Sequence, residues 1–312
     1  MRLRDDLALL EAAVTRAAEQ TGVPARQIRK DFWLTEILRA CARQADEHGF
    51  VAVFKGGTSL SKVFGLIERF SEDVDVLVVA SGGDAAVNTT MKSLTIAAER
   101  HIGVTAMLDT ATVDAGRYRA EMFPYPGVQP PDRGVLLELG ARGGALPNAR
   151  HQIVSIVAPI AEALLGESVE EAVAFATNVL SPARTLIEKL VIVHEAHLRP
   201  HGEARLRRIT KTVRHYYDIW CLLGNGDVQA ELAAHGAGVL AREVCQHSKA
   251  IGLPSVAYPV NGFASAAAFN PSSTVDQRKA YTSTVAELLW PAASLPTFAE
   301  CLERVAQHAA KL

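Results

Sequence analysis

The chain has 312 residues, 49% of them hydrophobic, and a formal net charge of −2 from 32 basic and 34 acidic side chains. These figures exclude an intrinsically disordered chain and a protein that attracts polyanions through a global positive field, so any nucleic-acid contact must come from a local patch. No apolar run approaches the ~18 residues of a membrane span, the start Met1-Arg2-Leu3-Arg4-Asp5-Asp6 lacks a secretory core, and the cysteines (Cys41, Cys221, Cys245, Cys301) have no metal-ligand spacing. A cytoplasmic protein with buried thiols and no membrane contact is the expectation.

Residues 5–20 and 29–46 have helical periodicity, split by Gly22-Val23-Pro24, and in the second helix Phe32, Leu34, Ile37, Leu38 and Cys41 face inward. Lys30-Asp31-Phe32 near its start resembles a Lys-Asp-aromatic family signature and equally fits a helix start with a solvated charge pair, and no chemistry is assigned to it. The stretch from Val51 to Val79 is more informative. Val51, Val53 and Phe54 are strand formers, Lys55-Gly56-Gly57 ends the strand, and Thr58 or Ser59 is expected to cap a following helix whose apolar face is Leu60, Val63, Phe64 and Ile67. The period then changes to two: Ser71, Asp73 and Asp75 fall on one face of a strand and Val74, Val76 and Val78 on the other. Two carboxylates at i and i+2 repel each other unless a cation lies between them, and Mg²⁺ is a hard ion held by a few carboxylates plus substrate phosphates. A glycine turn that bares backbone N–H groups suits a triphosphate.

A turn at 81–84 and a helix at 85–102 come next, then short strands at 104–108 and 117–123, and a loop with Pro124, Pro126, Pro130 and Pro131. Residues 133–140 form a buried strand that contains one acid, Glu138, either paired to an arginine such as Arg142 or neutralised by a metal. Asp109 and Asp114 are weaker candidates at strand ends. A strand is expected at 153–158 and an edge strand at 173–176. Ser181 caps a helix whose first turn takes Pro182, with Leu186, Leu190 and Val193 inward and Lys189 beside them, where its ammonium can snorkel toward a nucleotide's phosphates. His194, His197 and His201 read as surface histidines, not a zinc site.

Arg199, Arg205, Arg207, Arg208, Lys211 and Arg214 form the strongest local positive field, suited to a polyanion or facing an acidic partner or plain solvent. Arg214 and Asp218, four apart in an aromatic helix, can pair or share one face. The remainder reads as helices at 227–249, 276–290 and 297–311.

Two blocks carry a resemblance: Gly56-Gly57-Thr58-Ser59-Leu60-Ser61-Lys62 and Arg69-Phe70-Ser71-Glu72-Asp73-Val74-Asp75. They resemble the AbiEii/AbiGii family of nucleotidyltransferase toxins, which belong to bacterial abortive-infection toxin–antitoxin pairs and include the mycobacterial MenT toxins. The family pattern is a GGTxL turn, R-x-S-x-D-x-D, a lysine-bearing helix and a helix with an Arg and an Asp; Lys189, Arg214 and Asp218 match the last two. The interval from Gly57 to Asp73 is longer than is usual in the wider polymerase-β-like superfamily.

The resemblance implies an α/β fold: a polymerase-β-like nucleotidyltransferase mixed sheet with N-terminal helices at 1–180, and a helical domain at 181–312 that completes the cleft. It implies catalytic roles for Asp73, Asp75, Lys189 and Asp218. Nucleotide-binding roles follow for Gly56, Gly57, Thr58, Ser59, Lys62, Arg69 and Ser71, and metal-binding roles for Asp73, Asp75 and Glu138, with two Mg²⁺. The implied reaction moves a nucleoside monophosphate from an NTP to an RNA, the tRNA 3′ end, with Arg205, Arg207, Arg208, Lys211 and Arg214 as RNA contacts. An antitoxin of winged-helix, AbiEi-like type is the implied partner. A small-molecule nucleotidyltransferase and a non-catalytic NTP-binding module are the alternatives.

Overall fold

The computed structural model describes residues 1–71, 73–114, 116–128, 132–198, 202–253 and 255–312. Glu72, Pro130, Pro131, Arg199, Pro200 and His201, and the side chain of Asp109, lie outside the described residues. The chain is α/β and divides into two compact units. The first is Met1–Val63, Ser71–Ala141 and Asn148–Val179; the second is Phe64–Phe70, Arg142–Pro147 and Leu180–Leu312.

The first unit is built on a seven-stranded mixed sheet. In chain order its strands are β1 (Val51–Lys55), β2 (Asp73–Val79), β3 (Met107–Asp114), β4 (Tyr118–Phe123), β5 (Val135–Gly140), β6 (Asn148–Ile153) and β7 (Phe175–Leu180), and their spatial order is β3-β4-β5-β2-β1-β7-β6. β2 pairs antiparallel with β1 and parallel with β5. It therefore has a partner on both sides, and Val74, Val76, Leu77 and Val78 are buried as a central strand requires. Three helices of this unit are α1 (Leu7–Thr21), α2 (Ala25–His48) and α4 (Gly83–Ile102). α2 packs on α4 and on β1, β2 and β5, and Ile28, Phe32, Trp33, Ile37, Leu38 and Cys41 are buried along it. Burying each of the larger side chains contributes about 1.5–3 kcal/mol before entropy is charged.

Several expectations need correction. The helix after the glycine turn, α3 (Gly56–Lys62), starts one residue after β1 and ends before Val63. Thr58 and Ser59 lie inside it and do not cap it: Thr58 donates to the Asp73 carbonyl (2.5 Å) and Ser59 to the Gly56 carbonyl (2.9 Å). Phe64 and Ile67 are not helical, because Gly65 turns the chain at φ 61°. The strand expected at 153–158 is instead the end of β6 followed by α5 (Ala158–Leu165), whose first turn accommodates Pro159. The strand expected as an edge, β7, lies between β1 and β6.

The second unit is helical: α6 (Pro182–Leu198), α7 (Glu203–Thr212), α8 (Arg214–Leu223), α9 (Gly226–His235), α10 (Ala237–Ala250), α11 (Val275–Ala286) and α12 (Phe298–Gln307). Ser181 caps α6 by accepting from the Arg184 N–H (3.1 Å). α6 packs on α7, α8, α9 and α10. The helix expected at 227–249 breaks into α9 and α10 at Gly236, where φ is 79°. Residues 64–70 belong to this unit because their backbone is paired there. The Phe70 N–H donates to the Leu288 carbonyl (2.7 Å) and the Trp290 N–H to the Glu68 carbonyl (3.0 Å). That pairing gives the backbone at Glu68 and Phe70 its hydrogen-bond partners in this unit.

Candidate functional site

In the first unit the candidate groups come from neighbouring strands in register. Lys55 opposes Asp75, Asp75 opposes Glu138, and Glu138 opposes Ala120. Directly opposed residues share a face, so Asp75 and Glu138 project from the same side of the sheet, and Asp73 joins them by the two-residue period. Tyr118, two residues from Ala120 on β4, donates its hydroxyl to the Glu138 carboxylate in a short hydrogen bond. The expected alternative partner, Arg142, bonds Glu195 instead (2.6 Å). Burial, then Glu138, then Asp75 and Asp73 raise the Tyr118 phenol pKa well above its ordinary value. The phenol thus registers the combined negative field of all three carboxylates.

Gly56 is fixed by two constraints. Its φ is 79°, and a Cβ there would overlap the Asp75 carboxylate at Oδ2. The backbone of the turn therefore lies directly against that carboxylate. Gly56→Ala is expected to cost about 1–3 kcal/mol of stability and to reduce activity by displacing Asp75. Urea denaturation and a transfer assay on one preparation would check both.

Asp73, Asp75 and Glu138 offer hard oxygen donors on one face of the sheet. Among the described residues no three His, Cys, Asp or Glu side chains converge into a ready-made cage. The donor chemistry of the carboxylates is of the kind Mg²⁺ accepts, since that ion takes one or two protein carboxylates and completes its shell with water and phosphate oxygens.

The other residues expected near a nucleotide in this unit are held in local contacts. Lys62 is paired with Asp31 at 2.6 Å, and Asp31 also accepts from the Ile156 N–H (2.9 Å). Gly57 is buried, and Ser71 is half-buried just before β2. Lys30 pairs with Asp132 (3.1 Å) and, with Arg26 and Arg133, lines a cleft of about 250 Å³ that reaches Asp73. Sequence reasoning missed this cleft. Lys30 stands in the Lys-Asp-aromatic stretch, to which the sequence assigns no chemistry, and its partner Asp132 lies 102 positions away.

In the second unit Asp218 is fully buried and organises a charged cluster. Arg69 gives it two parallel hydrogen bonds (both 2.6 Å) and Lys189 a third (2.7 Å), while His215 Nδ1 lies 3.5 Å from the same carboxylate and 3.3 Å from Lys189 Nζ. Lys189 is only 4% exposed and its ammonium is committed to Asp218. The two closest partners of Asp218 come from outside its own helix, and His215 is the neighbour along it. Burial would raise the Asp218 pKa, yet Arg69 and Lys189 hold it well below the usual carboxylate range. Burial and the Lys189 charge push His215 down to about 3, so its imidazole is neutral at physiological pH.

The basic run does not lie open as one stripe. Arg205 is buried and Arg208 and Arg214 are half-buried, while Arg207 and Lys211 are exposed. Arg207 pairs with Glu203 (3.2 Å). His197, expected on the surface, is buried and hydrogen-bonded to Gln277 (3.2 Å). Among the described residues no helix is long and apolar enough to cross a membrane.

Comparison with known proteins returned a family match over residues 36–304, to the family described as nucleotidyl transferase AbiEii toxin, type IV toxin–antitoxin system. The curated proteins contained no match. Among solved structures the chain is similar to MenT4, a nucleotidyltransferase toxin from Mycobacterium tuberculosis H37Rv, at 18% identity and a TM-score of 0.41, with 96% of each chain covered.

Proposed function

Because this chain belongs to the AbiEii family of nucleotidyltransferase toxins, we propose that it transfers a nucleoside monophosphate from an NTP to the 3′ end of an RNA, tRNA in particular, and so blocks translation. The observation that carries the chemistry is the shared face of Asp73, Asp75 and Glu138 with Gly56 packed against Asp75. In the reaction an acceptor hydroxyl oxygen forms a bond to the α-phosphorus, the bond to the bridging oxygen breaks, pyrophosphate leaves with its electron pair, and the hydroxyl proton is lost.

Asp73 and Asp75 would hold Mg²⁺, with Glu138 as a third ligand or as the group that draws the hydroxyl proton. Bound Mg²⁺ would neutralise charge on the phosphates. Tyr118 orients Glu138 through its hydrogen bond. The bare N–H groups of the Gly56-Gly57 turn are proposed to face the nucleotide. Lys189 is proposed as a nucleotide-holding lysine, with Asp218 and Arg69 as its positioning residues. Ser71 is proposed as a phosphate contact, and the exposed Arg207 and Lys211 as outlying RNA contacts. Membership of a toxin–antitoxin family implies an antitoxin, for which a winged-helix regulator is the proposed form.

The test is transfer of label from each NTP in turn, radiolabelled at the α-phosphate, into total bacterial tRNA with Mg²⁺. Label that enters tRNA with the wild-type chain and not with a carboxylate variant is the expected result. Label that enters only small molecules, or none at all, would replace this reading with a metabolite transferase or a binding module.

A further inference from the structure

The cleft beside Asp73 has no role in the proposed reaction so far. On the sheet, Asp73 opposes Leu136, and Leu136 opposes Met122. All three line the cleft, in the row one two-residue step, about 7 Å, from the row of Asp75 and Glu138. Above this row stand three cations: Arg26 and Lys30, one turn apart on α2, and Arg133 at the entry to β5. Two carboxylates, Asp73 and Asp132, face them.

The position of Lys30 is built, not incidental. Asp132 takes it at 3.1 Å and is itself held by the Tyr125 hydroxyl (2.9 Å) and the Gly134 N–H (3.0 Å). Tyr125 is stacked on the buried Trp33 of α2. Arg26 and Arg133 are exposed at the rim.

Topology decides which anion this cleft suits. β1 and the Gly56 turn lie on one side of β2, and β5 and β4 with the cleft lie on the other. The carboxylate pair of β2 is thus flanked by the glycine turn and by the basic cleft. In-line displacement places the attacking and leaving oxygens on opposite sides of the phosphorus. With the NTP on the turn side, the incoming chain occupies the cleft side, where its last backbone phosphate meets Arg26, Lys30 and Arg133.

We infer that the Arg26, Lys30 and Arg133 cleft binds a backbone phosphate of the acceptor nucleic acid next to its reacting 3′ end. This inference rests on the proposed transfer to RNA. The same chemistry would also suit the β- and γ-phosphates of the NTP, and the experiment separates the two sources.

The probes are a short fluorescein-labelled single-stranded RNA with a free 3′ hydroxyl, followed by anisotropy over a salt series, and a fluorescent non-hydrolysable NTP. The comparison is between the wild type, the double variant Arg26→Ala/Arg133→Ala, and Arg16→Ala as a control on the exposed face of α1. The double variant is expected to bind the RNA about tenfold more weakly, with a salt slope shallower by roughly 1.4, the value for two lost contacts to a single strand. NTP binding should be unchanged, as should both measurements in the control.

RNA binding and salt slope equal to wild type would overturn the inference, and so would an absence of RNA binding by the wild type. A loss of NTP affinity with RNA affinity intact would reassign the cleft to the leaving phosphates. A wild type that binds the RNA through these residues but labels no RNA would sink the transfer reading and leave the cleft assignment standing.

Discussion

Asp75→Asn is expected to reduce nucleotidyl transfer by about a thousandfold while leaving thermal stability unchanged or slightly raised. The substitution keeps the side chain's volume against Gly56, where there is no room to spare, and removes only the charge. A bound Mg²⁺ supplies several kcal/mol of charge stabilisation; losing about 4 kcal/mol of it corresponds to the thousandfold factor. Stability should move the other way in chelator, because Asp73, Asp75 and Glu138 share one sheet face and like charges on neighbouring strand positions destabilise by up to about 1 kcal/mol. The two effects separate in a melting experiment: added Mg²⁺ should raise the wild-type Tm and leave Asp75→Asn nearly unmoved. Wild-type transfer in the variant, or an equal Mg²⁺ response, would remove Asp75 from the metal site.

The parts of this molecule legible in the sequence were those in which one local period governs a whole element. Val74, Val76 and Val78 alternate with Asp73 and Asp75 because β2 is buried on one face, so the strand and the acids' shared side followed from spacing alone. Glu138 stood out as a charge inside an apolar strand, and the structure places that strand beside β2. What could not be read was set by partners distant in sequence. Phe64 and Ile67 keep helical spacing, yet Gly65 and the backbone of residues 288–290 take that segment out of the helix. Arg69 matched a motif written around the two acids, but its guanidinium is committed to Asp218, 149 positions away. Arg205 sits in a run of cations and is buried, because it falls four residues before the buried Ile209, on the same face of α7. The Lys30–Asp132 pair spans 102 positions, so the Lys-Asp-aromatic stretch at Lys30 could not name its partner.

The second large effect belongs to that Asp218 cluster. Asp218→Ala is expected to cost about 3–5 kcal/mol of stability, since it would leave Arg69 and Lys189 buried opposite no carboxylate. Lys189→Met should cost less, because Arg69 still neutralises Asp218 through two hydrogen bonds. Acid should expose the cluster through His215. In the fold its pKa is lowered to about 3; unfolded, it takes a proton near 6.5. The unfolded chain therefore binds one more proton throughout that window, and stability is lost as pH falls below about 6.5, by up to about 1.4 kcal/mol per pH unit from this group. Asp218 acts lower on the scale. Its depressed pKa gives stability that is fully present above the unfolded value near 3.9 and is lost as pH falls further. The two groups can thus be told apart between pH 6.5 and 4.5, where only the imidazole differs in protonation. Urea denaturation across that range should show His215→Gln with a shallower pH dependence than wild type by close to one proton. Parallel curves would mean that the imidazole takes its proton in the folded chain as readily as in water, and that the cluster is open to solvent.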